Sequence, residues 1–449
     1  MIIDRIVNLK HRFSEDQDLR ELLKNSGIAF FLKVAGTIVG YSFTVIVTRH
    51  YGAEAWGVFS ICLMFLQISG MFGRLGTDIA LLRFISEFMV SENKYLIPQV
   101  FRKILLLTLS VSSALSFILF LFAKYIAVEV FHDFTLIVPL KLVSAFVIPF
   151  VVLWITREAI RGLKKITIYM LLQQLGVFGL ASLILVFSLM FLKTNHPYLI
   201  PILSYGISVV VFTTFLALFL WRKYLKTFSL YVKPALNQIS YKYILSVSLP
   251  LLFSSVLAFI MGWTDTFMIG IFKTTRDVGI YNVVLKLSTV ISIVLFSINS
   301  IAAPKFAEFW GRKDLKGLAR VARQSARLIF WTSLPILVVF VFFSKQILLI
   351  FGKDFIVASS ALVILSLGQF VNAIVGSVGY ILMMTGKERT MQNIIFGGAF
   401  INVVLNACLI PHYGINGAAI ASAISLAFIN IVPLFLVKKY YGFYTINII

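Results

Sequence analysis

The dominant pattern along this 449-residue chain is a series of long apolar runs separated by short polar loops. A helix needs about 20 predominantly apolar residues to cross the hydrocarbon core of a bilayer, so each run predicts a membrane-spanning helix. The runs are continuous and do not alternate with polar residues, which favours helices over barrel strands. The pattern predicts twelve spans, at residues 26–48, 57–75, 104–126, 136–156, 166–192, 198–221, 243–271, 279–303, 328–350, 356–384, 391–411 and 414–437.

Three of the polar connections are amphipathic: residues 14–24, 77–100 and 305–327. Helices with one apolar and one charged face lie in the plane of the membrane interface. We therefore expect these three segments along the cytoplasmic interface.

The composition supports a membrane protein and excludes several other classes. Sixty per cent of the residues are hydrophobic and 13% are charged, whereas soluble domains have roughly 45–50% and about 25%. This excludes a soluble enzyme, a secreted disulfide scaffold and a disordered chain. The two cysteines, Cys62 and Cys408, lie far apart in apolar runs and form no recognisable motif.

The net charge of +22 would suggest nucleic acid as a partner if it were taken as a bulk property. However, with the N-terminus in the cytoplasm, 29 of the 40 Lys and Arg residues fall in cytoplasmic segments and 7 in outer loops. This asymmetry follows the positive-inside rule. It predicts a multi-pass protein of the cytoplasmic (inner) membrane with both termini in the cytoplasm. Membrane lipids, and not nucleic acid, are then the expected partners of these cations.

The two halves of the chain resemble each other. Gly57-Val58-Phe59 matches Gly279-Ile280-Tyr281 at an offset of 222, and two further matches follow at offsets of 221 and 224. Six spans per half is an even number, so two copies insert in the same orientation, an architecture found in transporters. The predicted fold is all-α and polytopic, with two parallel six-helix repeats around a central cavity. The expected divisions are a cytoplasmic segment (1–25), an N-lobe (26–221), a cytoplasmic linker (222–242), a C-lobe (243–437) and a cytoplasmic tail (438–449).

Two motifs indicate a family. Arg49-His50-Tyr51-Gly52, followed by Gly57-Val58-Phe59, resembles the signature between the first two spans of polysaccharide exporters. Residues 75–87 resemble the segment that follows the second span in the same proteins. The chain is thus similar to the lipid-linked oligosaccharide (O-antigen type) flippases of the multidrug/oligosaccharidyl-lipid/polysaccharide exporter superfamily.

The resemblance implies a transporter and not an enzyme. A flippase of this type moves a polyprenyl-(pyro)phosphate-linked oligosaccharide from the cytoplasmic to the outer leaflet by alternating access, for surface polysaccharide assembly. Polysaccharide assembly proteins are then possible partners. Two alternatives stay open: a multidrug or toxic-compound cation antiporter, and a membrane-embedded glycan polymerase or ligase.

Four cations lie within or at the ends of spans: Lys33, Arg74, Lys141 and Lys286. A cation near the bilayer centre costs roughly 2.5–3.5 kcal/mol on insertion scales, so such residues normally face protein or water. Lys33 and Lys286 enter deepest and are the main candidates for a cationic cavity that binds an anionic substrate group. Arg74 and Lys141 are placed close to span ends, where they either contact substrate or snorkel to the interface.

Asp265 is the acidic residue that lies well inside the late spans. It is a candidate proton or sodium coupling site, a partner for Lys286 or Lys33 across the lobes, or a plain interfacial carboxylate. The sequence contains no phosphate loop and no cluster of His or Cys residues. We therefore expect no catalytic residue, no metal site and no cofactor.

Overall fold

The structure is a computed structural model that describes residues 17–90, 94–191, 197–226 and 239–446, with most side chains from Phe31 onwards. Most of the predicted N-terminal segment, the centre of the predicted linker (227–238) and the last three residues of the predicted tail lie outside the described residues.

The described chain is helical and contains no β-strand. Short π-helical turns (Ile126–Val130, Leu172–Gly176, Trp221–Leu225) and 3-10 turns (Phe134–Leu136, Thr289–Ser292, Lys353–Ala358) join or extend the α-helices. The α-helices are α1 (Gln17–Arg74), α2 (Thr77–Val90), α3 (Leu96–Tyr125), α4 (Ile137–Gly162), α5 (Ile166–Leu171), α6 (Val177–Phe191), α7 (Leu199–Leu220), α8 (Tyr241–Phe272), α9 (Thr275–Ser288), α10 (Ile293–Gly311), α11 (Leu315–Phe342), α12 (Ser344–Leu349), α13 (Ser359–Val375), α14 (Val378–Met384) and α15 (Glu388–Tyr441).

Ten helical stretches of the described chain are long and apolar enough to cross a membrane. Two of them, α1 and α15, contain one non-helical glycine each, Gly52 (φ 84°) and Gly414 (φ 55°). Glycine tolerates these positive φ values because it has no Cβ atom. The kink divides each long helix into two crossings, so the ten stretches supply twelve. The predicted all-α, twelve-span fold is confirmed.

Hydropathy placed some helix boundaries incorrectly. The segment 305–327 is not a separate interfacial helix, because α10 continues to Gly311 and α11 begins at Leu315. Asp314 caps α11 by accepting a hydrogen bond from the Gly317 amide at 2.8 Å. The predicted span 356–384 is interrupted at Gly376, where φ is 76°. A change in polarity along a helix does not end it, whereas a cap or a positive φ does.

The helices form two lobes, an N-lobe (α1–α7) and a C-lobe (α8–α15). The lobes touch where α9 packs on α1 and where α8 packs on α2. We call the end of the molecule that contains Gly52 and Gly414 the Gly52 end, and the opposite end, which contains Arg74 and Gly76, the Arg74 end.

The contact at the Gly52 end is reciprocal. A Cβ atom on Gly57 would overlap the carbonyl oxygen of Thr275, and a Cβ atom on Gly279 would overlap the carbonyl oxygen of Ala53. The offset of 222 relates Ala53 to Thr275 and Gly57 to Gly279. Two copies related by a two-fold axis make isologous contacts of this kind. The repeat seen in the sequence is therefore also a structural repeat.

Candidate functional site

Lys286 of α9 joins the two lobes. Its Nζ atom donates hydrogen bonds to the Gly40 carbonyl at 2.7 Å and to Thr44 Oγ1 at 2.8 Å, both on α1. In return, Tyr41 Oη donates to the Lys286 carbonyl at 2.6 Å. We call this contact between α9 and α1 the lysine seam.

The ammonium group of Lys286 also lies among aromatic rings. Nζ is 5.0 Å from the centroid of the Tyr41 ring, 5.7 Å from Trp56 and 5.8 Å from Phe178. Cation–π contacts of this kind contribute roughly 0.5–2 kcal/mol. No carboxylate in the described part of the chain forms a salt bridge with Lys286. The ammonium group is therefore surrounded by neutral groups, and no carboxylate of the described residues neutralises it.

Lys33 lies on the same helix face as Gly40, two turns earlier on α1, or about 10 Å along the axis. It is partly buried, and its Nζ atom lies 5.1 Å from the centroid of the Phe296 ring on α10 of the opposite lobe. The structure thus places Lys33 and Lys286 between the lobes, on one side of α1, and from here on the lysine seam includes both lysines.

Arg74 does not snorkel to the interface. Its side chain is buried, with Nε donating to the Gly70 carbonyl at 3.0 Å and Nη1 lying 3.4 Å from Asp78 Oδ2. Its guanidinium carbon lies 4.2 Å from the centroid of the Trp154 ring. Arg74 therefore belongs to the interior of the N-lobe and not to the lysine seam.

Lys141 is exposed and lies above Phe120 of α3, with 5.4 Å from Nζ to the ring centroid. Both residues belong to the N-lobe surface. Its predicted grouping with Lys33 and Lys286 in one cationic cavity does not hold in this structure, because hydropathy gives the depth of a residue but not the direction it faces.

Asp265 is buried within the C-lobe, with 6% of its surface exposed. Asn402 and Asn406 donate to its Oδ1 atom at 3.2 and 2.7 Å, and the hydroxyl groups of Tyr281 and Ser422 donate to Oδ2. These partners come from α9 and α15 of the same lobe. The predicted pairing of Asp265 with a lysine of the seam is therefore not formed in this structure.

The carboxylate cluster, defined by Asp265, Tyr281, Asn402, Asn406 and Ser422, is rich in oxygen atoms. Asn406 Oδ1 is buried and has no hydrogen-bond partner among the described residues. Carboxylate and amide oxygens are ligands of hard cations. The i, i+4 spacing of Asn402 and Asn406 was visible in the sequence, but it equally fitted helix–helix contacts.

The motif between the first two spans, Arg49–Gly52 with Gly57, lies at the Gly52 end. Arg49 donates from Nε to the Ile350 carbonyl at 2.7 Å and from Nη2 to the Leu349 carbonyl at 3.4 Å, across the lobes. A cation at a helix C-terminus is favourable because the last carbonyls are unpaired, and α12 ends here. Gly52 supplies the kink and Gly57 the close approach to α9. Arg49 and Gly57 thus hold the lobes together at this end, and Gly52 provides the turn between these two residues.

Comparisons with known proteins agree with this architecture. The family model described as "Polysaccharide biosynthesis protein" matches residues 22–310, and the MatE model matches residues 250–408. The chain is 25% identical over 175 residues to the "Probable low-salt glycan biosynthesis flippase Agl15" of Haloferax volcanii. That alignment spans 39% of this chain and only 37% of the relative.

Two solved structures share the fold. An inward-facing multidrug resistance transporter of the MATE family and the MOP superfamily matches with a TM-score of 0.72 at 15% identity, over 92% of this chain and 98% of that chain. The lipid II flippase MurJ, in an inward closed conformation, matches with a TM-score of 0.71 at 16% identity, over 92% and 87%. Since the first family model covers well over half of the sequence, the chain belongs to the polysaccharide biosynthesis protein family.

Proposed function

We propose that this protein is a flippase that carries a polyprenyl-(pyro)phosphate-linked oligosaccharide from the cytoplasmic to the outer leaflet. The lipid tail stays in the bilayer while the polar headgroup crosses between the lobes, which rock to give alternating access. The relative from Haloferax volcanii is named as a probable glycan biosynthesis flippase, which supports this activity class.

The observation that carries the proposal is the positive charge at the lysine seam. Lys33 and Lys286 lie between the lobes, and in the described part of the chain neither forms a salt bridge. A pyrophosphate entering a low-dielectric path needs counter-charge far more than a neutral or cationic solute does. Lys286 is available to it because its present partners are neutral and exchangeable.

The positive-inside distribution supports a cytoplasmic location for the Arg74 end and for both termini. In this orientation the lysine seam begins on the side from which the substrate is loaded. Labelling of single cysteines in intact cells tests this: a cysteine at Lys164 should be shielded from an impermeant thiol reagent and one at Lys353 should react.

Alanine substitution of the seam lysines tests the function. Lys33→Ala and Lys286→Ala should each reduce export of surface glycan at least tenfold at unchanged membrane levels, since a hydrogen bond to a charged group contributes about 1.5–3 kcal/mol. The matched control is Lys141→Ala, which removes the same charge from a span but not from the seam, and should leave export unchanged. Wild-type export in both Lys33→Ala and Lys286→Ala would contradict the proposal.

The same sites distinguish the proposed flippase from a multidrug cation antiporter. An exporter of cationic compounds should gain activity when positive charge is removed from the path. A flippase for an anionic headgroup should instead lose activity. Drug resistance and glycan export are both measured in cells that express Lys286→Ala. Increased drug resistance would indicate an antiporter, and reduced glycan export would indicate a flippase.

We further propose that the carboxylate cluster is the site of the coupling ion, either a proton or sodium. Asp265 is buried, and the groups that donate hydrogen bonds to it are all neutral. A buried carboxylate without a counter-charge is costly. A bound cation removes this cost, and the unpartnered Asn406 Oδ1 supplies a further ligand atom.

Asp265→Asn tests the coupling ion separately from the substrate path. In purified wild-type protein, sodium at constant ionic strength, or a lowered pH without sodium, should raise the unfolding temperature. Asp265→Asn should abolish both effects. An unchanged response to both ions in Asp265→Asn would eliminate this site without affecting the assignment of the lysine seam.

A further inference from the structure

Arg157, near the end of α4, is a buried cation that the N-lobe does not neutralise. Its residue surface is 8% exposed, and the Nε and Nη2 atoms are buried without a hydrogen-bond partner among the described residues. The nearby acidic groups have other partners: Glu158 lies 3.3 Å from Arg161, and Asp78 lies 3.4 Å from Arg74. The local group of charges therefore has one cation in excess, and the excess is at Arg157.

The guanidinium group of Arg157 stacks on the ring of Trp154. The guanidinium carbon of Arg157 lies 3.7 Å from the centroid of the Trp154 ring, and that of Arg74 lies 4.2 Å from the same ring. Stacking fixes the plane of a guanidinium group without using its N–H donors. The Nε and Nη2 donors of Arg157 thus have no hydrogen-bond partner among the described residues.

Arg157 lines a cavity of about 240 Å³ inside the N-lobe. At roughly 30 Å³ per water molecule, this is room for about eight waters or for a compact polar group. Beside Arg157, its polar lining consists of the amides of Gln67, Gln173 and Gln174 and the hydroxyl of Tyr205, set in apolar and aromatic walls. None of the described residues that line the cavity carries a carboxylate. A few convergent polar groups in an apolar wall are typical of a ligand site.

The local backbone is also unusual. Residues Leu172–Gly176 form a π-helical turn between α5 and α6, which places Gln173 and Gln174 at the cavity. Single π turns inside α-helices are frequent at functional sites. Gln173 is exposed, so the cavity has an opening on this side.

We propose that this N-lobe cavity binds an oxyanion of the phosphate class, with Arg157 as its anchor. Arginine presents paired N–H donors that match the oxygens of phosphate, and such charge-assisted bonds are roughly twice as strong as neutral ones. The anion comes either from the (pyro)phosphate of the transported lipid or from a phospholipid headgroup. The first source rests on the proposed function; the binding itself does not.

The test measures the affinity of purified protein for inorganic pyrophosphate in detergent. Arg157→Gln should weaken binding about 10-fold or more, because a hydrogen bond to a charged group contributes about 1.5–3 kcal/mol. Arg157→Lys, which keeps the charge but not the paired donors, should show an intermediate loss. The matched control is Lys165→Gln, which removes an exposed cation from the same lobe and should change the affinity less than twofold.

Thermal unfolding separates binding from a structural role. Without pyrophosphate, Arg157→Gln should unfold at the wild-type temperature or above, since it removes an unpaired buried charge. Pyrophosphate should raise the unfolding temperature of wild type but not of the variant. If Arg157→Gln fails to fold, Gln67→Leu, which changes the lining without changing charge, should lower the affinity in its place.

Competition identifies the source of the anion. Displacement of pyrophosphate by a short-chain polyprenyl diphosphate assigns the site to the transported lipid, and displacement by phosphatidylglycerol assigns it to a resident lipid. Absence of pyrophosphate binding in wild type, or equal affinity in Arg157→Gln, would overturn the proposal. Because the assay requires no transport, neither result affects the glycan-export test of Lys33 and Lys286.

Discussion

At the scale of single residues, backbone conformation explains positions that charge and hydropathy cannot. Gly52 has φ 84° and ψ 178°, a region that L-residues with a side chain avoid. A Cβ atom at this position would meet nothing within 4 Å. Any effect of adding one is therefore an effect on the backbone and not on packing, and the first two spans can turn here because residue 52 is glycine.

Gly52→Ala should lower the free energy of unfolding by about 1–3 kcal/mol, the usual cost of a residue held in such a conformation. Gly262→Ala is the matched control, since Gly262 is helical and its Cβ atom would also meet nothing within 4 Å. The free energy of unfolding of the control should rise by roughly 0.4–1 kcal/mol, because alanine makes the unfolded chain less flexible. Unfolding of both variants in detergent measures the difference, and equal stabilities would refute the backbone explanation.

At the scale of elements, the seam between α1 and α9 depends on the absence of side chains. Gly57 and Gly279 let the two helices approach until backbone atoms touch, and Arg49 adds hydrogen bonds to the end of α12. Small residues at helix interfaces serve this purpose in membranes, where close packing drives association. The sequence showed that Gly57 and Gly279 occupy equivalent positions in the two halves. It did not show that they contact each other, because equivalent positions in a repeat need not be neighbours in the fold.

Gly57→Val should force the helices apart and widen the Gly52 end. Spin labels at His50 and Lys353, one exposed position on each lobe, report the change by electron–electron distance measurements in a cysteine-free background. We expect the distance distribution to shift to longer values. Gly262→Val, which adds the same side chain where there is open space, should keep the wild-type distribution; the same result for Gly57→Val would show that the seam does not control this opening.

At the scale of the whole molecule, the proposed function requires the two lobes to move against each other. Thr275 of the C-lobe donates a hydrogen bond to Asp133 of the N-lobe, so this pair closes the Gly52 end together with the glycine contact. Alternating access demands that these contacts break in each cycle. A covalent link across them should hold the molecule in one state.

Cysteines at Asp133 and Thr275, joined by a short bifunctional thiol reagent that reducing agent releases, should stop glycan export reversibly. The control pair is Thr274 and Asp277, whose side chains are hydrogen-bonded within one lobe. The same reagent there should leave export intact. Continued export by the cross-linked Asp133–Thr275 pair would exclude the proposed rocking motion.

The sequence by itself determined the number of spans and the two-fold repeat. The bilayer imposes a fixed length of apolar helix on every crossing, and repeated insertion leaves a regular pattern of cations, so both can be counted along the chain. Family membership followed from local motifs for the same reason: Arg49, Gly52 and Gly57 are close in sequence.

Only the tertiary structure decided which charged groups share a site. Asp265 obtains its partners from α9 and α15, and Arg157, counted with the topology-determining cations, lies against a cavity inside the N-lobe. Hydropathy gives the depth of a side chain, whereas the direction it faces and the groups it meets depend on how helices distant in sequence pack together. For this reason the lysine seam, the carboxylate cluster and the Arg157 cavity became distinct sites only in the folded protein.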